Sequence, residues 1–249
     1  LYEHAKVILR QMERAKHEVI DLADSPRGKI CIGLTPTVSL VLGAALVERY
    51  HAECPNVSLR VVDALSEQLI EWVMSDRLDI AFSYNPSGGP GLILEPLVVE
   101  ILYLVGPPGG ESTDENIPFG HLAGLPLILP SRPQILRSLV DDAVNEQDME
   151  LNIYLEIDSV QTMKELVERG IGWTVLPFGA VASEVAEGRM TARRIVAPDL
   201  TRTLHLVYSS RRPSSKAVTT LQQLIRRLVE ETVKESTGSW RGVESKAAG

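Results

Sequence analysis

The chain has 249 residues, of which 44% are hydrophobic and 23% charged, with a mean hydropathy of +0.03. That length can bury one large core or two small ones, and no run of about 18 apolar residues offers a membrane span. The net charge of −8, from 25 basic and 33 acidic side chains, has the wrong sign for a segment that itself grips nucleic acid.

Leu1, Ala5, Ile8, Met12, Ala15, Val19 and Leu22 recur at alternating steps of four and three, with Lys6, Arg10, Glu13, Arg14 and Lys16 off the stripe. This heptad pattern predicts a helix over residues 1–24 that pairs two copies of the chain; the plainer alternative is a helix packed on its own domain. Ser25-Pro26-Arg27-Gly28 ends it and serves as a linker. Leu1-Tyr2-Glu3-His4 lacks the basic-then-apolar profile of an export leader, which points to the cytoplasm. Cys31 and Cys54 have no Cys-x-x-Cys spacing and read as reduced core thiols, so no metal site is expected.

Gly28-Lys29-Ile30-Cys31-Ile32-Gly33 reads as a buried strand, and the apolar stretch 40–50 as a helix. Between them, Thr35, Thr37, Val38 and Ser39 fall where a strand ends and a helix begins, a place with unpaired N–H groups and a favourable dipole for a ligand oxygen. Helix capping by Thr37 or Ser39 is the competing account. Strand 57–62, a loop 63–66 with Ser66 as N-cap, a helix carrying Leu69, Ile70, Val73 and Met74, and strand 80–84 complete a right-handed parallel βαβαβ unit. Asn85–Gly91 is a loop, and the stretch 92–106, interrupted at Pro96, is expected to be a strand pair crossing into a second lobe.

The pattern then repeats. After a polar loop at 109–116 come strand 126–129, turn Pro130-Ser131-Arg132-Pro133, helix 135–146, strand 152–157, turn Asp158-Ser159, helix 160–169 and strand 172–176. Strands 191–196 and 204–208 are expected to lead back to the first lobe, followed by a helix over 214–235 with Leu221, Leu224, Ile225 and Leu228 on one face. Residues 236–249 are small and polar and are expected to be a mobile tail. The predicted class is α/β: two Rossmann-like βαβ lobes, 28–100 plus 204–235 and 101–203, joined by two crossover strands behind a long linker helix.

Such lobes face each other across a cleft. The first supplies Thr35, Thr37, Val38, Ser39, Ser83 and Asn85, and the second Ser131, Arg132, Ser159, Pro177 and Phe178. Hydroxyls, backbone N–H groups and one guanidinium suit a small polar, anionic molecule. Catalysis is not expected. His4, His17, His51, His121 and His205 have no nucleophile or metal-ligand spacing, and Gly-x-Ser-x-Gly, a P-loop and Gly-x-Gly-x-x-Gly are absent, so no cofactor is expected either. Asp63 and Glu67, on the cleft side, read as a loop acceptor and a helix first-turn charge.

A heptad helix followed by Gly28-Lys29-Ile30-Cys31-Ile32-Gly33, Cys54-Pro55-Asn56-Val57-Ser58-Leu59 and Asp79-Ile80-Ala81-Phe82 resembles the LysR-type transcriptional regulators. Leu122-Ala123-Gly124-Leu125-Pro126-Leu127-Ile128 and Gly170-Ile171-Gly172-Trp173-Thr174-Val175-Leu176-Pro177 continue the resemblance over about residues 1–235, and Leu129-Pro130-Ser131-Arg132-Pro133 is similar to the nitrogen-assimilation-control branch. The resemblance implies a periplasmic-binding-protein-like effector domain with a site at Thr35, Thr37, Ser39, Ser131, Ser159, Pro177 and Phe178. It further implies homodimers or homotetramers, a small-molecule effector, and DNA contact only through a winged helix-turn-helix domain absent from this sequence. Two functions follow: the effector-sensing module of a regulator, or a solute receptor for a transporter, for which the heptad helix would have no task.

Overall fold

The computed structural model describes residues 26–109, 115–211, 214–236 and 238–243. The expected helix over 1–24, with its seam from Leu1 to Leu22, lies outside the described residues.

Strand β1 (Gly28–Leu34) is paired in parallel with β2 (Val57–Asp63) along its whole length, from Gly28 opposite Val57 to Leu34 opposite Asp63. On its other side lies β3 (Ile80–Tyr84), also parallel, so the first βαβαβ unit forms as the alternation predicts. The helical run after β1 begins earlier than expected, at Pro36. It comprises one turn, α1 (Pro36–Val38), a π-helical segment at Ser39–Gly43, and α2 (Ala44–Glu53). Proline suits a first helical position because its φ is already helical and no N–H partner is lost. Thr35 is therefore the residue before the helix, and neither Thr37 nor Ser39 caps its N-terminus. Helix α3 (Ser66–Met74) corrects a second expectation. Leu65 holds the N-cap position, and Ser66 Oγ instead accepts the Tyr84 N–H at 3.2 Å, tying the helix start to the end of β3.

Strand β4 (Leu92–Gly106) is one continuous strand of 15 residues rather than a pair. Pro96 has no N–H to give the ladder. The ladder shifts register there, with Leu204 opposite Val98 and His205 opposite Pro96, so Leu97 bulges and the strand continues. The first part of β4 pairs antiparallel with β10 (Thr201–Ser209), and its end pairs with β8 (Thr174–Pro177) and β9 (Thr191–Val196). Strand β9 thus belongs to the second lobe, and β10 alone carries the chain back.

The second lobe repeats the plan. It contains β5 (Asn116–Pro118), β6 (Leu127–Leu129), α4 (Ile135–Glu146), β7 (Ile153–Glu156), α5 (Val160–Glu168) and, after β8, α6 (Ala182–Ala186). Strands β6 and β7 are parallel, and Leu127 bridges in parallel to Trp173, just ahead of β8.

Burial follows the two lobes. One face of the first sheet packs Ile32, Leu34, Phe82 and Leu206 against Leu46 of α2 and Leu221 and Ile225 of α7 (Lys216–Glu235). The opposite face packs Leu69, Val73, Leu78 and Ala81, with Val207, the alternate neighbour of Leu206 on β10. A separate cluster around Leu104, Phe119, Leu127, Val140 and Val167 fills the second lobe. The expected mobile tail is corrected over its described part: β11 (Trp240–Gly242) lies antiparallel to β4, opposite Val98–Glu100, and Trp240 is buried. Burying one indole there outweighs the polarity of its neighbours.

Candidate functional site

Where β1 ends, Thr35 is buried and its hydroxyl has no hydrogen-bond partner among the described residues. Thr37, the second residue of the helix, accepts from Arg202 Nη2 at 3.0 Å and donates to the Tyr84 hydroxyl at 3.4 Å. Arg202 stands directly opposite Glu100 in the ladder between the crossover strands β10 and β4. Its Nε and Nη2 reach Glu100 Oε2 at 2.7 and 2.6 Å, and its guanidinium carbon lies 3.5 Å from the centre of the Tyr84 ring. Trp240 Nε1 donates to the remaining Glu100 oxygen at 2.9 Å. Burial works against charge on Arg202, but the Glu100 carboxylate beside it prevails and holds the guanidinium above its usual range. Burial likewise pushes the Tyr84 phenol well above its usual value, so it remains a neutral hydroxyl.

Across from this network, Asp158 sits between β7 and α5. Its Oδ1 accepts from Ser131 N at 2.9 Å, Ser131 Oγ at 2.7 Å and Gln134 Nε2 at 2.7 Å. These donors, the Ser131 hydroxyl foremost, hold the carboxyl below the usual carboxylate range. Leu136, Val160, Met163 and Leu176 form an apolar wall beside it. Between the lobes lies a cleft with about 560 Å³ of empty space including its mouth, lined by Thr35, Thr37, Tyr84 and Arg202 from one side and by Asp158 and that wall from the other.

Of the residues expected at a ligand site, Thr35 and Thr37 line the cleft. Val38 is in the first-lobe core, and Ser39 is part of the π-helical segment without lining the cleft. Strand alternation places Tyr84, not its neighbours, toward the cleft. The buried Ser83 hydroxyl has no partner among the described residues, while Asn85 closes the end of β3 by accepting the Thr203 N–H and donating its own N–H to Thr203 O. Ser131 is held by Asp158, and Ser159 is the N-cap of α5, accepting the Thr162 N–H at 3.2 Å. Pro177 pairs opposite Leu102, and the Phe178 ring stacks at a tilt on Tyr103 with centroids 5.5 Å apart.

Arg132 is the clear departure. It is mostly exposed and bound to Asp141 at 2.6 Å, because Asp141 on the adjoining helix offers a carboxylate on the outer side of the turn. The guanidinium that lines the cleft belongs to Arg202. Arg202, Glu100 and Asp158 were not among the expected site residues. The available signal for the first two was a charge in the buried phase of each crossover strand: Arg202 alternates with Leu204 and Leu206, and Glu100 with Val98 and Leu102. Among the described residues, no group of three or more His, Cys, Asp or Glu side chains is arranged to hold a metal, and no helix is long and apolar enough to cross a membrane.

Known proteins share this architecture. The family described as LysR substrate binding domain matches residues 23–230. BbuR of Bordetella bronchiseptica, an HTH-type transcriptional regulator, is 32% identical over 239 residues, covering 96% of this chain and 73% of its own. The nitrogen assimilation regulatory protein nac of Klebsiella aerogenes is 29% identical over 237 residues, covering 95% and 77% respectively. Among solved structures, a C206 mutant of Corynebacterium glutamicum OxyR matches with a TM-score of 0.75 at 20% identity, over 92% of this chain and 74% of that one. The effector binding domain of QuiR in complex with shikimate matches with a TM-score of 0.71 at 18% identity, over 83% and 99%.

Proposed function

The chain belongs to the LysR family of transcriptional regulators, of which it carries the substrate-binding domain, and from that premise we propose that its interlobe cleft binds a small polar effector and passes its occupancy on to DNA binding. Members of the family are regulators rather than enzymes; they bind small-molecule effectors and act as oligomers on DNA. The relatives at 32% and 29% identity are regulators, which favours this reading over a transport receptor. In this chain, residues 28–100 plus 204–235 act as one lobe and 101–203 as the other. The segment 1–24 joins copies into a dimer or tetramer, DNA is contacted through a helix-turn-helix domain outside this sequence, and the protein works in the cytoplasm.

The observation that carries the reading is the buried Thr35 hydroxyl, without a partner among the described residues, in a cleft that both lobes line. A buried polar group without a partner is costly, and a ligand oxygen or N–H would satisfy it. A ligand touching both lobes favours one angle between them to the extent of its differential affinity, and a coupling of about 1–3 kcal/mol suffices for control. The test is a thermal-shift screen of small metabolites, since a ligand at 100 times its dissociation constant adds about 2.7 kcal/mol. The expected outcome is a hit whose affinity falls at least tenfold in Thr37→Val while the unliganded melting curve stays cooperative. Unchanged affinity in that variant would place the effector elsewhere.

A further inference from the structure

Among the described residues, the charged side chains that line the cleft are Glu67, Asp158 and Arg202. Arg202 is already neutralised by Glu100, so the charge left facing a ligand is acidic. Three donors of the second lobe that could greet an anion are turned to Asp158 instead. The Ser131 N–H, the Ser131 hydroxyl and the Gln134 amide all donate to Asp158 Oδ1. The Ser159 hydroxyl caps its own helix, and Arg132 turns away to Asp141. What the second lobe offers is the other Asp158 oxygen, Oδ2, which accepts no hydrogen bond among the described residues, set against the apolar wall of Leu136, Val160, Met163 and Leu176.

Resting on the reading of this cleft as the effector site, we infer that the effector has an apolar body and presents a hydrogen-bond donor, an ammonium or a hydroxyl group, to Asp158, with no carboxylate or phosphate at that end. An anion there would meet a carboxylate whose own hydrogen bonds keep it charged at neutral pH. An ammonium or hydroxyl gains a charge-assisted bond instead. Toward the first lobe, the Thr35 hydroxyl accepts or donates equally well, so it places no charge requirement on the other end. At this end it departs from the anionic ligand that hydroxyls, backbone N–H groups and the Arg132 guanidinium suggested.

Cyclohexylamine, cyclohexanol and cyclohexanecarboxylate share one skeleton and differ in the head group. Titrating each into the full chain, with the methyl resonances of Met163, Leu136 and Leu176 observed by NMR, reads the preference at the cleft. The expected result is cleft shifts from the amine and the alcohol with apparent affinities at least tenfold above the carboxylate. Asp158→Asn should then bring the amine and the carboxylate within threefold of each other. A carboxylate that binds the native chain as tightly as the amine overturns the inference, and this arm does not depend on the variant folding. Discrimination that survives in a folded Asp158→Asn variant overturns it too. Shifts at none of the three methyl groups with any probe overturn the effector-site reading beneath it.

Discussion

Arg202 and Glu100 are both almost completely buried, and each has the other as its principal compensating charge. Removing one partner strands the other in a dry place, which costs about 3–5 kcal/mol, whereas replacing both with apolar residues is far cheaper. Urea unfolding should therefore show Arg202→Met strongly destabilised and Glu100→Leu combined with Arg202→Met much less so. Asp158 gives a pH prediction of definite sign. Its folded pKa is depressed, so its contribution is complete above the unfolded carboxylate value of roughly 4 and is lost as the pH falls through the lower folded value. Asp158→Asn should accordingly show a shallower loss of stability on acidification below about pH 4, and only slightly so because the group is exposed. At this scale the sequence was half legible. Thr35 and Thr37 announced themselves through a local pattern, hydroxyls between a strand and a helix. Arg202 meets Thr37 only because two chain segments 165 residues apart fold together, and no local pattern records that meeting.

Among the elements, two glycines mark places where neighbours leave no room. A Cβ on Gly106, near the end of β4, would lie 2.0 Å from the Trp173 ring, so Gly106→Ala must displace a bulky aromatic and should cost about 1–3 kcal/mol in equilibrium unfolding. A Cβ on Gly179, in the turn after β8, would lie 3.0 Å from Val41 Cγ2 in the π-helical segment. That contact joins the two lobes rather than the interior of either. Gly179→Val should wedge them apart, measured as a larger radius of gyration by small-angle scattering with little change in unfolding free energy. Strands β1 to β3 were legible because alternation, β-branched residues and short turns all agree there. Pro96 misled in β4, since a proline reads as a break until the bulge at Leu97 shows how the ladder steps around it. Ser239-Trp240-Arg241-Gly242 has no alternation to betray a strand; only the apolar place waiting for Trp240 makes it one.

For the molecule as a whole, the repeat of two βαβαβ units was the most telling feature of the sequence, and the two-lobed architecture matches it. The lobes share β4 as a common strand, yet the cleft between them remains, because β4 and β10 run through the boundary while the helix starts face each other across it. One consequence concerns light. Trp240 touches the same carboxylate that grips Arg202, and Arg202 in turn grips Thr37 at the cleft. An indole so close to a buried charge pair has an emission spectrum that reports the local field. An occupant that disturbs Thr37 should shift the native fluorescence of the unlabelled chain, and Trp240→Phe should silence most of that shift, leaving Trp72 and Trp173 as a nearly constant background.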